Sequence, residues 1–116
     1  MERRVELNYL LDFYGPLLTE HRREIIRAYC EEDLSLQEIA EQLGITRQGV
    51  YDALGKGEKQ LLDYEAKLGL VRRHRALTGG AERCLELLDK TQPSPKSESM
   101  LEAAKEELRQ ILKIEG

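Results

Sequence analysis

Tryptophan is absent from this chain, phenylalanine occurs once, and proline occurs three times in 116 residues. Cysteine and histidine occur only twice each. Cys30 and Cys84 are too few and too far apart for a disulfide framework. Each falls on the apolar side of a helical pattern, so both are expected as buried free thiols. No cysteine or histidine pair has the spacing of a metal-ligand set, and neither a metal nor a cofactor is expected. Also missing is any apolar run long enough to span a bilayer. The start, MERRVELNYLLDFYG, lacks an uninterrupted apolar segment before a small-residue cleavage site, so a cytoplasmic protein without membrane insertion is expected. No stretch alternates polar and apolar with period two, which removes the sheet.

What is present is charge and helical periodicity. Charged residues make up 34% of the chain and hydrophobic residues 41%, with a net charge of −4. The charge is segregated. Residues 1–46 carry 5 basic and 10 acidic side chains, a balance of −5. Residues 47–75 carry 7 and 4, a balance of +3, and residues 76–116 carry 6 and 8, a balance of −2. Only the middle segment has the sign that attracts phosphate.

Apolar residues recur at helical spacing almost throughout. Val5, Leu7, Leu10, Leu11 and Tyr14 predict a first helix, stopped at Gly15-Pro16. Thr19 caps a second with Ile25, Ile26, Tyr29 and Cys30 facing inward. A third is expected from Ser35 to Gly44 and a fourth, longer one after Thr46. Thr78-Gly79-Gly80 reads as its break, followed by a short helix through Ala81, Cys84, Leu85 and Leu88. The segment 91–99, TQPSPKSES, has the composition of a flexible linker. A last helix, 100–116, opens on the capping-box pattern Ser99-Met100-Leu101-Glu102. The expected organisation is an all-α domain over 1–90, the linker, and this C-terminal helix.

Residues 35–59 carry the most information. Ile39, Leu43, Ile45, Val50 and Ala53 occupy the apolar offsets of two helices crossing over a short turn, the arrangement of a helix-turn-helix. Ala40 supplies the small residue at the crossing, and Gly44 the turn position where a left-handed backbone is needed. Ser35 with Glu38 forms a capping box, Leu34 with Ile39 a hydrophobic staple, and Thr46 caps the next helix. In that next helix, Gly49, Gly55 and Gly57 each cost about 1 kcal/mol relative to alanine, which predicts a loosened helix. The GKGEK run at 55–59 lacks the upstream glycine and following Ser/Thr of a phosphate-binding loop.

The segment LTEHRREIIRAYCEEDLSLQEIAEQLGITRQGVYDALGKGEKQL, residues 18–61, resembles region 4 of bacterial sigma factors. With YGPLLT before it and LLDYEAKLGL after it, the chain resembles the YlxM family of small helix-turn-helix proteins over about residues 5–75. The resemblance implies an all-helical, cytoplasmic bacterial protein. It also implies a regulatory link to the signal recognition particle pathway. The tail after residue 90 has no counterpart in that resemblance.

Carried over by position, the groove-facing residues are Arg47, Gln48, Tyr51 and Asp52, with Lys56 and Lys59 behind them. Arg47 suits guanine and Gln48 adenine in the major groove, Tyr51 a phosphate or a base face, and Asp52 a cytosine amine. Lys56 and Lys59 suit the phosphate backbone. Arg72, Arg73 and Arg75 form a second basic cluster, read either as a solvated helix end or as a contact to RNA or DNA backbone.

Val50, Leu54, Gly57, Leu61, Tyr64, Leu68 and Val71 keep a coiled-coil-like spacing. Its later members are expected to bury against a later helix or a second copy. A homodimer is therefore expected, as is common for readers of duplex DNA.

Two functions follow. One is a DNA-binding regulatory protein, acting in the signal recognition particle pathway, that reads duplex DNA through residues 35–59. The alternative is an accessory that binds the particle's RNA or protein component through the 72–75 cluster, with the helix-turn-helix as scaffold. No nucleophile, base and orienting group stand at a recognisable spacing, so an enzyme is not expected.

Overall fold

In the computed structural model, which describes residues 2–115, the chain is all-α. Among the described residues six α-helices and no strand are formed: α1 (Arg3–Tyr14), α2 (Glu20–Cys30), α3 (Leu36–Leu43), α4 (Arg47–Leu68), α5 (Leu70–Asp89) and α6 (Glu98–Glu115). None of them is long and apolar enough to cross a membrane. The chain divides into two compact units, one ending at Val71 and the other beginning at Arg72, so the boundary falls in the first turn of α5.

The first unit contains the core. Leu7, Leu10, Leu11 and Tyr14 of α1 and Ile25 and Ile26 of α2 are buried with Ile39 and Ala40 of α3 and Val50, Leu54 and Leu61 of α4. These positions recur three and four residues apart, so each helix turns one apolar stripe inward. The coiled-coil-like spacing of α4 is thus covered by α1 and α2, which both pack on it. Its early members need no second copy. Of its later members, Leu68 is 56% exposed while Val71 is buried in the same core.

The local start and stop signals act as their chemistry predicts. The Ser35 hydroxyl accepts from the Glu38 amide at 3.1 Å, and the Ser35 amide donates to the Glu38 carboxylate at 3.3 Å, closing the capping box. Thr46 Oγ1 accepts from the Gly49 amide at 2.9 Å. Gly44 ends α3 at φ 67°, a left-handed position that a residue without Cβ takes without strain.

Two expectations are corrected. Helix α4 runs without interruption for 22 residues through Gly49, Gly55 and Gly57. It ends at Gly69, which caps it at φ 63°, and not at Thr78-Gly79-Gly80. Those glycines lie inside α5, where the Arg83 guanidinium lies 3.2 Å from the point a Cβ on Gly79 would occupy. Last, Cys84 is exposed and not buried, while Cys30 is half-buried with its thiol pushed up to about 11, chiefly by burial.

The break at Gly69 is held by a contact between distant parts of the chain. Tyr14 Oη donates to Glu65 Oε1 at 2.7 Å and accepts from the Leu70 amide at 3.0 Å. Glu65 Oε1 also accepts from the Val71 amide at 3.0 Å. The first two amides of α5, which no helical carbonyl can reach, therefore find acceptors on α1 and α4. Tyr14→Phe removes that acceptor and a buried donor together. It is expected to lower the unfolding free energy by about 1.5 kcal/mol in urea denaturation, and an unchanged midpoint would show the contact to be without weight.

Candidate nucleic-acid interface

The α3–α4 pair is oriented by its turn and by the core beneath it. Ile39 and Val50 are fully buried and Ala40 nearly so, so the inner faces of both helices are fixed. Leu43, expected inside, is at the surface instead. A second anchor comes from α1. Arg4 Nε donates to the Tyr29 carbonyl at 3.0 Å and its Nη2 to the Leu34 carbonyl at 3.3 Å, while the guanidinium lies 4.2 Å from the centre of the Tyr29 ring. Arg4 also pairs with Asp33 at 3.0 Å, the non-glycine residue with a left-handed backbone, at φ 54°. The loop entering α3 is thereby tied to α1 through its own carbonyls.

With its inner face fixed, α4 presents Arg47, Gln48, Tyr51, Asp52, Lys56 and Lys59 to solvent. Steps of three, four and seven residues keep them on one side of a helix. Tyr51 is 62% exposed and stands between two shallow depressions. One, of about 470 Å³, is lined by Leu36, Arg47, Gln48 and Tyr51. The other, of about 510 Å³, lies between Arg3, Tyr29, Tyr51, Lys56 and Glu58. An amphipathic ring standing proud between two hollows can lie on a base or bond a phosphate.

The charges of this side are less mixed than the sequence suggests. Glu58 pairs with Arg3, a contact that raises the guanidinium's affinity for its proton. Gln48 Nε2 donates to Asp52 Oδ1 at 3.0 Å, so these two form a local pair and not two separate readers. Between Arg47 and Lys59 the side thus offers three cations, Arg47, Lys56 and Lys59, against the single unneutralised carboxylate of Asp52. Arg3, Arg4 and Tyr29 were not recognised as part of this region. Arg3 and Arg4 lie 31 or more residues before Ser35 and Tyr29 lies six before it, and the packing of α1 and α2 brings them to the site.

Arg72, Arg73 and Arg75 are exposed, but they do not sit at a helix C-terminus. They occupy the first two turns of α5, where the helix dipole opposes cations. Among the described residues no cluster of His, Cys, Asp and Glu has the geometry of a metal site.

The profile of the YlxM/p13-like helix-turn-helix proteins matches residues 1–108. This chain belongs to that family. A UPF0122 protein of Desulforamulus reducens is 43% identical over 107 residues, 92% of this chain and 91% of the relative. A UPF0122 protein of Caldanaerobacter subterraneus is 49% identical over 82 residues, 71% and 70% of the two chains. One from Halalkalibacterium halodurans is 36% identical over 103 residues, 89% and 94%. The YlxM/p13-like match extends well past residue 75, the end of the resemblance read from the sequence. α5 and the first half of α6 therefore belong to the family and are not an appendage without counterpart.

Proposed function

We propose that this YlxM/p13-like protein is a DNA-binding regulatory protein whose α4 enters the major groove, two copies reading two half-sites, in service of the signal recognition particle pathway. One observation carries the proposal. A capped helix-turn-helix with a rigid inner face presents Arg47, Tyr51, Lys56 and Lys59 on one solvent side. Arg47 at the N-terminal end of α4 reads a guanine, and Gln48, held by Asp52, is a secondary reader. Lys56 and Lys59 fix the register on phosphate. The chain's acidic remainder weakens binding and makes it fall with salt.

One observation favours a second reading. Arg73 and Arg75 are exposed near the start of α5, where the helix dipole disfavours cations, and a bound anion would offset that. An RNA backbone, that of the particle's RNA, would be such an anion. The binding of fluorescent duplex DNA and of signal recognition particle RNA, followed by anisotropy over a salt series, separates the two. Arg47→Ala is expected to weaken duplex binding about tenfold, and Lys56→Ala to reduce the salt slope by about 1. Binding of the RNA alone, unchanged by Arg47→Ala and lost on neutralising Arg72, Arg73 and Arg75, would favour the accessory.

A further inference from the structure

The second unit is built of two helices and has almost no interior. Among its described residues the one buried apolar side chain is Ala81. Leu87 is 66% exposed and Met100 68%, with Leu77 and Ile111 also at the surface. α5 and α6 are held together by Lys105, which reaches Asp89 at 2.9 Å and Glu102 at 3.5 Å. On one side of the pair an open groove of about 460 Å³ is lined by Cys84, Leu87, Leu88, Ala104, Glu107 and Leu108. A pair of helices this short does not supply a stabilising core, and oligomerisation is the usual remedy where disulfides and metals are absent.

We infer that this groove is the seat of a second copy of the chain, the α5–α6 pairs of two molecules closing into a four-helix bundle. The charges around it select this occupant. On α5, Arg83 and Lys90 lie four residues before and three after Leu87, so a cation flanks the exposed leucine on each side. On α6 the charged residue in the groove is Glu107, at the level of Cys84 and Leu87. A two-fold axis parallel to the helices lays α5 of one molecule on α6 of the other at the same level. The exposed Arg83 of each copy then leaves its place over Gly79 to meet Glu107 of the other copy, Leu87 fills the groove twice, and the contact is complementary to itself. A long acidic partner would be met by a single carboxylate in the groove, and a nucleic acid would meet an apolar floor.

The inference gives the two-copy part of the proposed function a surface, and its test needs no nucleic acid. Sedimentation equilibrium of the full chain over a wide concentration range is expected to give a dimer. Leu87→Glu is expected to raise the dissociation constant on the order of 100-fold with the helical circular dichroism unchanged, because the residue is exposed within one copy. Glu107→Arg is expected to raise it about tenfold, and Arg83→Glu combined with Glu107→Arg to restore it. Arg47→Ala is expected to leave the mass unchanged, so a failure to bind DNA does not touch this result. A chain monomeric at every concentration, or one that gains mass only when duplex is added, overturns the inference. So does a dimer indifferent to both Leu87→Glu and Glu107→Arg.

Discussion

Gly57→Leu is expected to lower the unfolding free energy by about 2 kcal/mol, while Gly55→Ala, two residues earlier on the same helix, raises it by up to about 1 kcal/mol. Both substitutions remove a helix-weakening glycine, so propensity alone predicts a gain at each. Packing reverses the sign at one of them. A Cβ on Gly57 would stand 2.6 Å from Cδ1 and 3.4 Å from Cγ1 of Ile26, which is fully buried in α2. Ile26 is fully buried, so its Cδ1 cannot swing out into solvent, and a leucine at 57 pushes α2 and α4 apart. A Cβ on Gly55 meets nothing within 4 Å. Thermal unfolding of the two variants beside the parent decides the matter, with a shift of roughly 10 °C downward at 57 and a small rise at 55. Two shifts of the same sign would remove the close approach of α2 and α4 from this account.

Ala40→Leu is expected to cost about 3 kcal/mol, by overpacking the point where α3 meets α4. Ala40 is buried, and its carbonyl accepts from the Ile45 amide at 3.1 Å and from the Gly44 cap, so its backbone is fixed by the turn. Three added carbons cannot be relieved by moving α3 without breaking those bonds and the left-handed Gly44. Loss of the cooperative transition, or a melting point lowered by 10 °C or more, is the expected result in circular dichroism. A parent-like melting curve would mean that the crossing is looser than the helix-turn-helix geometry requires.

The motif was legible because its determinants are local. The side chains of Ser35, Glu38 and Thr46 accept from amides three residues away, Gly44 donates its own amide to the Ala40 carbonyl, and each acts in the structure as its chemistry predicts. The end of α4 was not legible for the opposite reason. Apolar spacing runs through Gly69 to Val71 without a fault, and the adjacent Gly79 and Gly80 are the stronger local signal. What decides between them is Tyr14, 51 residues from Glu65 in sequence, which accepts the first amide of α5 and makes the helix start at Leu70. With that start fixed, Gly79 and Gly80 remain helical under the Arg83 side chain. The same shift in register moved Arg72, Arg73 and Arg75 from the end of one helix to the beginning of another.

The candidate interface was legible by type and not by neighbourhood. The exposure of Arg47, Gln48, Tyr51, Asp52, Lys56 and Lys59 follows from which residues of α4 are apolar, and that is visible in the sequence. The pairing of Gln48 with Asp52 was within reach of i, i+4 reasoning. The neutralisation of Glu58 by Arg3 spans 55 residues and depends on the packing of α1 against α4.

The most direct test of the central claim is selection from a random duplex DNA pool, carried out in parallel with the parent chain and Arg47→Ala. The account predicts that the parent enriches a short motif containing a guanine, and that Arg47→Ala relaxes the preference at that base while retaining the rest. A selected pool that matches the input, or one enriched identically by both proteins, would contradict a reading role for α4.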